Sequence, residues 1–137
     1  MNNPEQRPAL GTVLVVDDEE GVRELARRIL ESAGYGVVDA ADGQLALNII
    51  NSKETVDFLM VDLDMPVMRG EELAARLQEI RPELRILFVT AHSDLLFDNR
   101  AELPEGSAFL EKPFTVAGLL EAVSLLKTGS IHAPPAR

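Results

Sequence analysis

Short apolar runs alternate along this chain with longer stretches whose apolar residues recur at helical spacing. Five runs, at about 12–17, 35–39, 57–62, 85–90 and 107–111, read as strands. The run at 57–62 is nearly all apolar, as expected of a strand covered on both faces. After the first run, Val22, Leu25, Ala26, Ile29 and Leu30 form one stripe of a helix over about 19–33, and Gly34 follows as a stop signal. Asp42 is placed to cap a helix over about 43–52 with Leu45, Ala46, Ile49 and Ile50 inward. Leu73, Ala74, Leu77 and Ile80 predict a helix over about 70–81, with Pro82 just beyond it. Val116, Leu119, Leu120, Val123 and Leu126 predict another over about 115–127. The stretch 93–103 has the weakest pattern: Leu95, Leu96 and Phe97 sit among Asp and Asn, and Pro104 cuts it off. Strands alternating with helices predict an α/β domain of βαβ units around a parallel sheet, and right-handed crossovers put helices on both faces.

Composition narrows this without changing it. The 137 residues suit one domain, read as 12–127, between a flexible leader at 1–11 and a flexible tail at 128–137 rich in proline and small residues. No apolar run approaches the roughly 18 residues that span a bilayer, and the N-terminus lacks a signal-peptide pattern, so a cytoplasmic protein is expected. The absence of cysteine excludes disulfides and thiolate chemistry. A formal net charge of −10 argues against direct nucleic-acid binding, which depends on Lys and Arg neutralising phosphates.

The ends of four strands carry the chemistry. They stop on Asp17-Asp18, on Asp62, on Thr90 and on Lys112-Pro113. Open α/β sheets bind ligands at the carboxyl ends of their strands, so acid, acid, hydroxyl and ammonium are expected at one edge. Gathered there, they would form a magnesium and phosphate site. Asp62 is the candidate phospho-acceptor, because a carboxylate can attack phosphorus and become an aspartyl phosphate. Asp17 and Asp18 are candidate metal ligands, since magnesium prefers a few carboxylates, retained waters and phosphate oxygens. Each residue also has a plain reading: Asp62 as a turn former, Asp17 and Asp18 as helix-capping acids, Lys112 as a surface lysine, Thr90 as a strand former. Without a cation the three acids repel: two like charges about 4 Å apart cost on the order of 4 kcal/mol at an effective dielectric of 20.

Taken in order and with these separations, several pieces resemble the receiver domain of bacterial two-component response regulators. They are Asp17-Asp18, Asp42-Gly43-Gln44-Leu45-Ala46-Leu47, Asp62-Leu63-Asp64-Met65-Pro66 with Gly70, Thr90-Ala91 and Lys112-Pro113-Phe114. The resemblance covers 12–127 and implies a flavodoxin-like (βα)5 fold with a parallel sheet of order 2-1-3-4-5 and five helices. It implies that a histidine kinase or histidine-phosphotransfer protein phosphorylates Asp62 with Mg2+, or Mn2+ in its place. The metal ligands would be Asp17, Asp18, Asp62 and the backbone carbonyl of Asp64. It implies a cis Lys112–Pro113 bond aiming the lysine inward, and a phosphoprotein that switches an unidentified downstream partner as a monomer or a phosphorylation-dependent dimer. Thr90 and Lys112 would take phosphoryl oxygens, and Phe109 fills the switch-aromatic position, where core packing is the even alternative. Asp64 and His92 stand where such domains tune the lifetime of the phosphate. The extra carboxylate of Asp64 repels the phosphoryl group or orients an attacking water, and its sign does not follow from sequence.

Two other classes are weighed against this one. Val61-Asp62-Leu63-Asp64-Met65 resembles the Asp-x-Asp opening of haloacid-dehalogenase-like phosphatases. That family expects the motif on its first strand and an acidic pair later, and here the pair comes first. A receiver-fold interaction module that is never phosphorylated is opposed by the intact set of Asp62, acid pair, Thr90 and Lys112. The expectation is therefore a signalling domain and not a turnover enzyme, a short stand-alone receiver or a piece of a longer regulator.

Overall fold

A computed structural model describes residues 9–92 and 106–128. The weakly patterned stretch 93–103 and most of the two terminal segments lie outside the described residues. The chain runs β1 (Thr12–Val16), α1 (Glu20–Ala33), β2 (Gly36–Ala40), α2 (Gly43–Asn51), β3 (Phe58–Asp62), α3 (Gly70–Ile80), β4 (Arg85–Thr90), β5 (Ala108–Glu111) and α4 (Val116–Thr128). No boundary differs from the sequence expectation by more than one residue. The strands form one sheet in the order β2-β1-β3-β4-β5, and every neighbouring pair is parallel.

Side-chain alternation along the strands sorts the core into two layers. Leu14, Val16, Leu59, Val61, Ile86 and Phe88 face α2 and α3. Val13, Val15, Met60, Leu87 and Val89 face α1 and α4. All five residues of β3 are buried, because helices cover both faces of the central strand. Helix ends follow their local signals. Gly34 takes φ 107°, and the Tyr35 N–H bonds to the Leu30 carbonyl at 3.0 Å, closing α1. The Asp42 carboxylate accepts the Leu45 N–H at 2.9 Å and opens α2.

Four residues expected inward are exposed instead: Leu25 (46%), Leu45 (46%), Ile80 (43%) and Val116 (57%). Leu25, Ile80 and Val116 lie about 70–90° round their helices from the centre of the buried arc, at 100° per residue, whereas Leu45 lies about 130° from the centre set by Gly43, Ala46 and Ile50. Ile80 and Val116 also sit in a terminal turn. For those three, periodicity marked the stripe correctly but drew it too wide, since the buried face needs only the middle of the arc; Leu45 lies off that face.

Gly70 starts α3 hard against the end of β3. A Cβ there would collide with the Asp62 carbonyl oxygen and sit 2.9 Å from the Leu63 Cα. Backbone cannot rotate aside as a side chain can. Gly70→Ala should therefore destabilise the domain by about 1–3 kcal/mol, the usual cost of overpacking. Denaturant unfolding measures this, and an unchanged midpoint would show that β3 and α3 separate without strain.

Candidate functional site

Register brings the strand-end groups to one edge. Val16 pairs with Val61, Asp62 with Val89, and Thr90 with Glu111. The next residues out are therefore Asp17 beside Asp62, and Lys112 beyond β5. Backbone bonds extend the ladders by one step and hold these residues: Asp17 N–H to the Ala40 carbonyl at 3.2 Å, Leu63 N–H to Val89 at 2.8 Å, and Lys112 N–H to Thr90 at 2.9 Å.

The carboxylates of Asp17 and Asp62 are almost wholly buried, at 3% and 4% exposure. The Lys112 ammonium lies between them, 3.0 Å from Asp17 Oδ2 and 3.2 Å from Asp62 Oδ2, with the exposed Glu19 carboxylate at 3.4 Å. The Lys112–Pro113 peptide is cis. Each buried carboxylate gives its other oxygen to a local backbone N–H: Asp17 Oδ1 to Glu19, and Asp62 Oδ1 to Asp64, both at 2.9 Å. Among the described residues no buried side-chain polar atom lacks a partner.

Burial pushes the Asp62 carboxyl above its ordinary pKa, and the charge of Asp17 adds to the rise. The Asp64 N–H and Lys112 oppose it without cancelling it. Burial alone would lower the Lys112 pKa, but hydrogen bonds and attraction to Asp17 and Asp62 outweigh it and hold the ammonium protonated above the ordinary 10.5.

Asp17, Asp18 and Asp62 bring carboxylate oxygens within 4.8 Å of one another. Two of the acids, Asp17 and Asp62, are buried and share the Lys112 ammonium, and Asp18 is exposed. This donor set suits a hard divalent cation that keeps part of its water shell.

Thr90 is fully buried, and its hydroxyl donates to Asp64 Oδ2 at 2.8 Å. Phe109 is also buried and stacks on Phe88, with centroids 6.1 Å apart and planes at 23°. His92 is exposed and touches the site through its backbone, its N–H donating to Thr90 Oγ1 at 2.9 Å.

One contributor escaped the sequence reading. Arg23 donates from Nη1 to the Asp17 carbonyl at 2.8 Å and from Nε to Asp39 Oδ2 at 3.1 Å, so it braces the start of the acidic loop against β2. On the helical pattern Arg23 is simply a polar flank residue, and only the pairing of β1 with β2 brings Asp39 within its reach. Among the described residues no helix is long and apolar enough to cross a membrane.

Residues 13–124 match the family model of the response regulator receiver domain. The chain is 31% identical over 111 residues to sporulation initiation phosphotransferase F of Bacillus subtilis, covering 81% of this chain and 89% of that protein. It is 35% identical over 113 residues to the sensor kinase CckA of Brucella abortus, covering 82% of this chain but only 12% of that much longer protein. Among solved structures it resembles the response regulator TrrA of Thermotoga maritima in complex with Mg2+–BeF. There the TM-score is 0.73 at 30% identity, over 85% of this chain and 98% of that one.

Proposed function

The chain belongs to the response regulator receiver family, and from that premise we propose that Asp62 accepts a phosphoryl group from the phosphohistidine of a histidine kinase or histidine-phosphotransfer protein. The observation that carries this is the setting of Asp62: a buried carboxylate at the tip of the central strand, beside a second buried acid and in contact with one partly buried ammonium. An Asp62 oxygen forms a bond to phosphorus as the phosphorus–nitrogen bond of the donor breaks. The donor imidazole leaves with the electron pair and recovers its proton from solvent. Lys112 then pairs with a phosphoryl oxygen in place of the carboxylate it holds at rest. Thr90 supplies a hydroxyl from the neighbouring strand.

Asp17, Asp18, Asp62 and the Asp64 carbonyl would hold Mg2+, or Mn2+ in its place. When bound, the ion neutralises the acid cluster and offsets charge on the phosphoryl oxygens. The added group brings about −1.5 to −2 charges to the sheet edge, a local change that biases a two-state element and alters partner binding. We read the chain as a cytoplasmic signalling domain that assists only its own phosphorylation and dephosphorylation.

Incubation with acetyl phosphate and Mg2+, followed by intact mass, tests the reading: one added phosphoryl group is expected, and an unchanged mass would sink it. Magnesium alone should raise the melting temperature, each tenfold excess over its dissociation constant adding about 1.4 kcal/mol of stability. Asp18→Ala should weaken that response, because the exposed acid contributes charge without supporting the core. A melting curve indifferent to millimolar Mg2+ would count against the metal site.

A further inference from the structure

A threonine hydroxyl has one proton to donate. In this structure the proton of Thr90 is committed to Asp64 Oδ2, and the same oxygen also accepts the Ala91 N–H at 3.1 Å. Thr90 is fully buried, so solvent offers its hydroxyl no alternative partner. The carboxylate is delivered by a turn that starts at the acceptor, since the Asp64 N–H donates to Asp62 Oδ1. A one-residue path thus links the phosphorylation point to an anion already seated on two donors at the end of the next strand.

We propose that Asp64 is a resident anion on the Thr90–Ala91 donor pair, one that a phosphoryl group on Asp62 must displace before it can engage Thr90. This rests on the reading of Asp62 as phospho-acceptor. Asp64 is then a positioning residue acting through Thr90, and its effect opposes the phosphorylated state. From sequence the extra carboxylate had two possible roles, repelling the phosphate or orienting a water. The geometry points to a third, because the carboxylate is spent on protein donors. One proton cannot serve two acceptors, and a phosphoryl group seated beside an undisplaced carboxylate would add like-charge repulsion.

The test is binding of beryllofluoride, a phosphoryl analogue, at saturating Mg2+, followed through the Ala91 amide resonance. Asp64→Asn and Asp64→Ala should tighten it by about 5-fold or more, the lower end of typical site-to-site couplings. The Ala91 resonance of the free protein should also move, because its hydrogen-bond partner has gone or lost its charge. The gain from Asp64→Ala should shrink to less than half in a Thr90→Ala background and return in Thr90→Ser, which keeps a hydroxyl. Unchanged binding by both Asp64 variants overturns the inference, and so does an equal gain in the Thr90→Ala background, which would mean bulk charge repulsion. If neither wild type nor variants take up phosphoryl groups or the analogue, the receiver reading itself fails. Uptake without an Asp64 effect removes this inference alone.

Discussion

Asp62→Asn should take up no phosphoryl group from acetyl phosphate, and in EDTA it should melt higher than the wild type. Loss of uptake follows from loss of the nucleophilic oxygen, since an amide does not attack phosphorus as a carboxylate does. The gain in stability follows from burial. The fold raises the Asp62 pKa, so it penalises the ionised form. That penalty is absent where folded and unfolded states are both protonated, below the ordinary 3.8, and complete once pH has risen through the raised folded-state value. At neutral pH the wild type bears it and Asn does not. A rise of about 3 °C is expected, the shift that roughly 1 kcal/mol gives a chain of this size. Residual uptake would identify another acceptor at the cluster. A lower melting point would show that pairing with Lys112 outweighs the desolvation of Asp62.

Lys112→Ala should be the most damaging single change at the site in the absence of metal. It leaves the carboxylates of Asp17 and Asp62, both nearly inaccessible to water, without their shared counter-charge. Breaking a buried ionic cluster on one side costs about 3–5 kcal/mol, and protonation of an acid relieves part of it, so about 3 kcal/mol is expected from urea unfolding. Divalent cation should restore much of the loss, because it supplies the missing positive charge. The pH profile gives a second readout. The folded-state pKa of Lys112 is raised, so its contribution is fully present below the ordinary 10.5 and disappears as pH climbs through the folded value. Wild type should therefore lose stability relative to Lys112→Ala in strong alkali. A cost below about 0.5 kcal/mol would make Lys112 an ordinary surface lysine.

Much of the fold was legible from spacing alone. The nine described elements were readable because apolar periodicity reports directly which face of a strand or helix meets the core. Leu25, Ile80 and Val116 were misassigned for a physical reason: periodicity gives the direction of a stripe, while its width depends on the neighbour that covers it. The site was legible one residue at a time. Asp17, Asp62, Thr90 and Lys112 each end a strand run or follow one, and parallel sheets carry such positions to the same edge. Gly70 stood out only as part of a family pattern, and its reason became visible when the Asp62 carbonyl was found in the space of its missing side chain.

Sequence by itself therefore determined the α/β architecture, the sheet edge that holds the chemistry and the residue types gathered there, because those depend on local periodicity and on where apolar runs stop. Tertiary structure alone decided which atom holds which. It seated Asp64 on Thr90 and Ala91, braced Asp17 with Arg23 and set Lys112 between two buried acids. These contacts link residues far apart in the chain, and their geometry comes from strand register and packing, which a one-dimensional pattern does not encode.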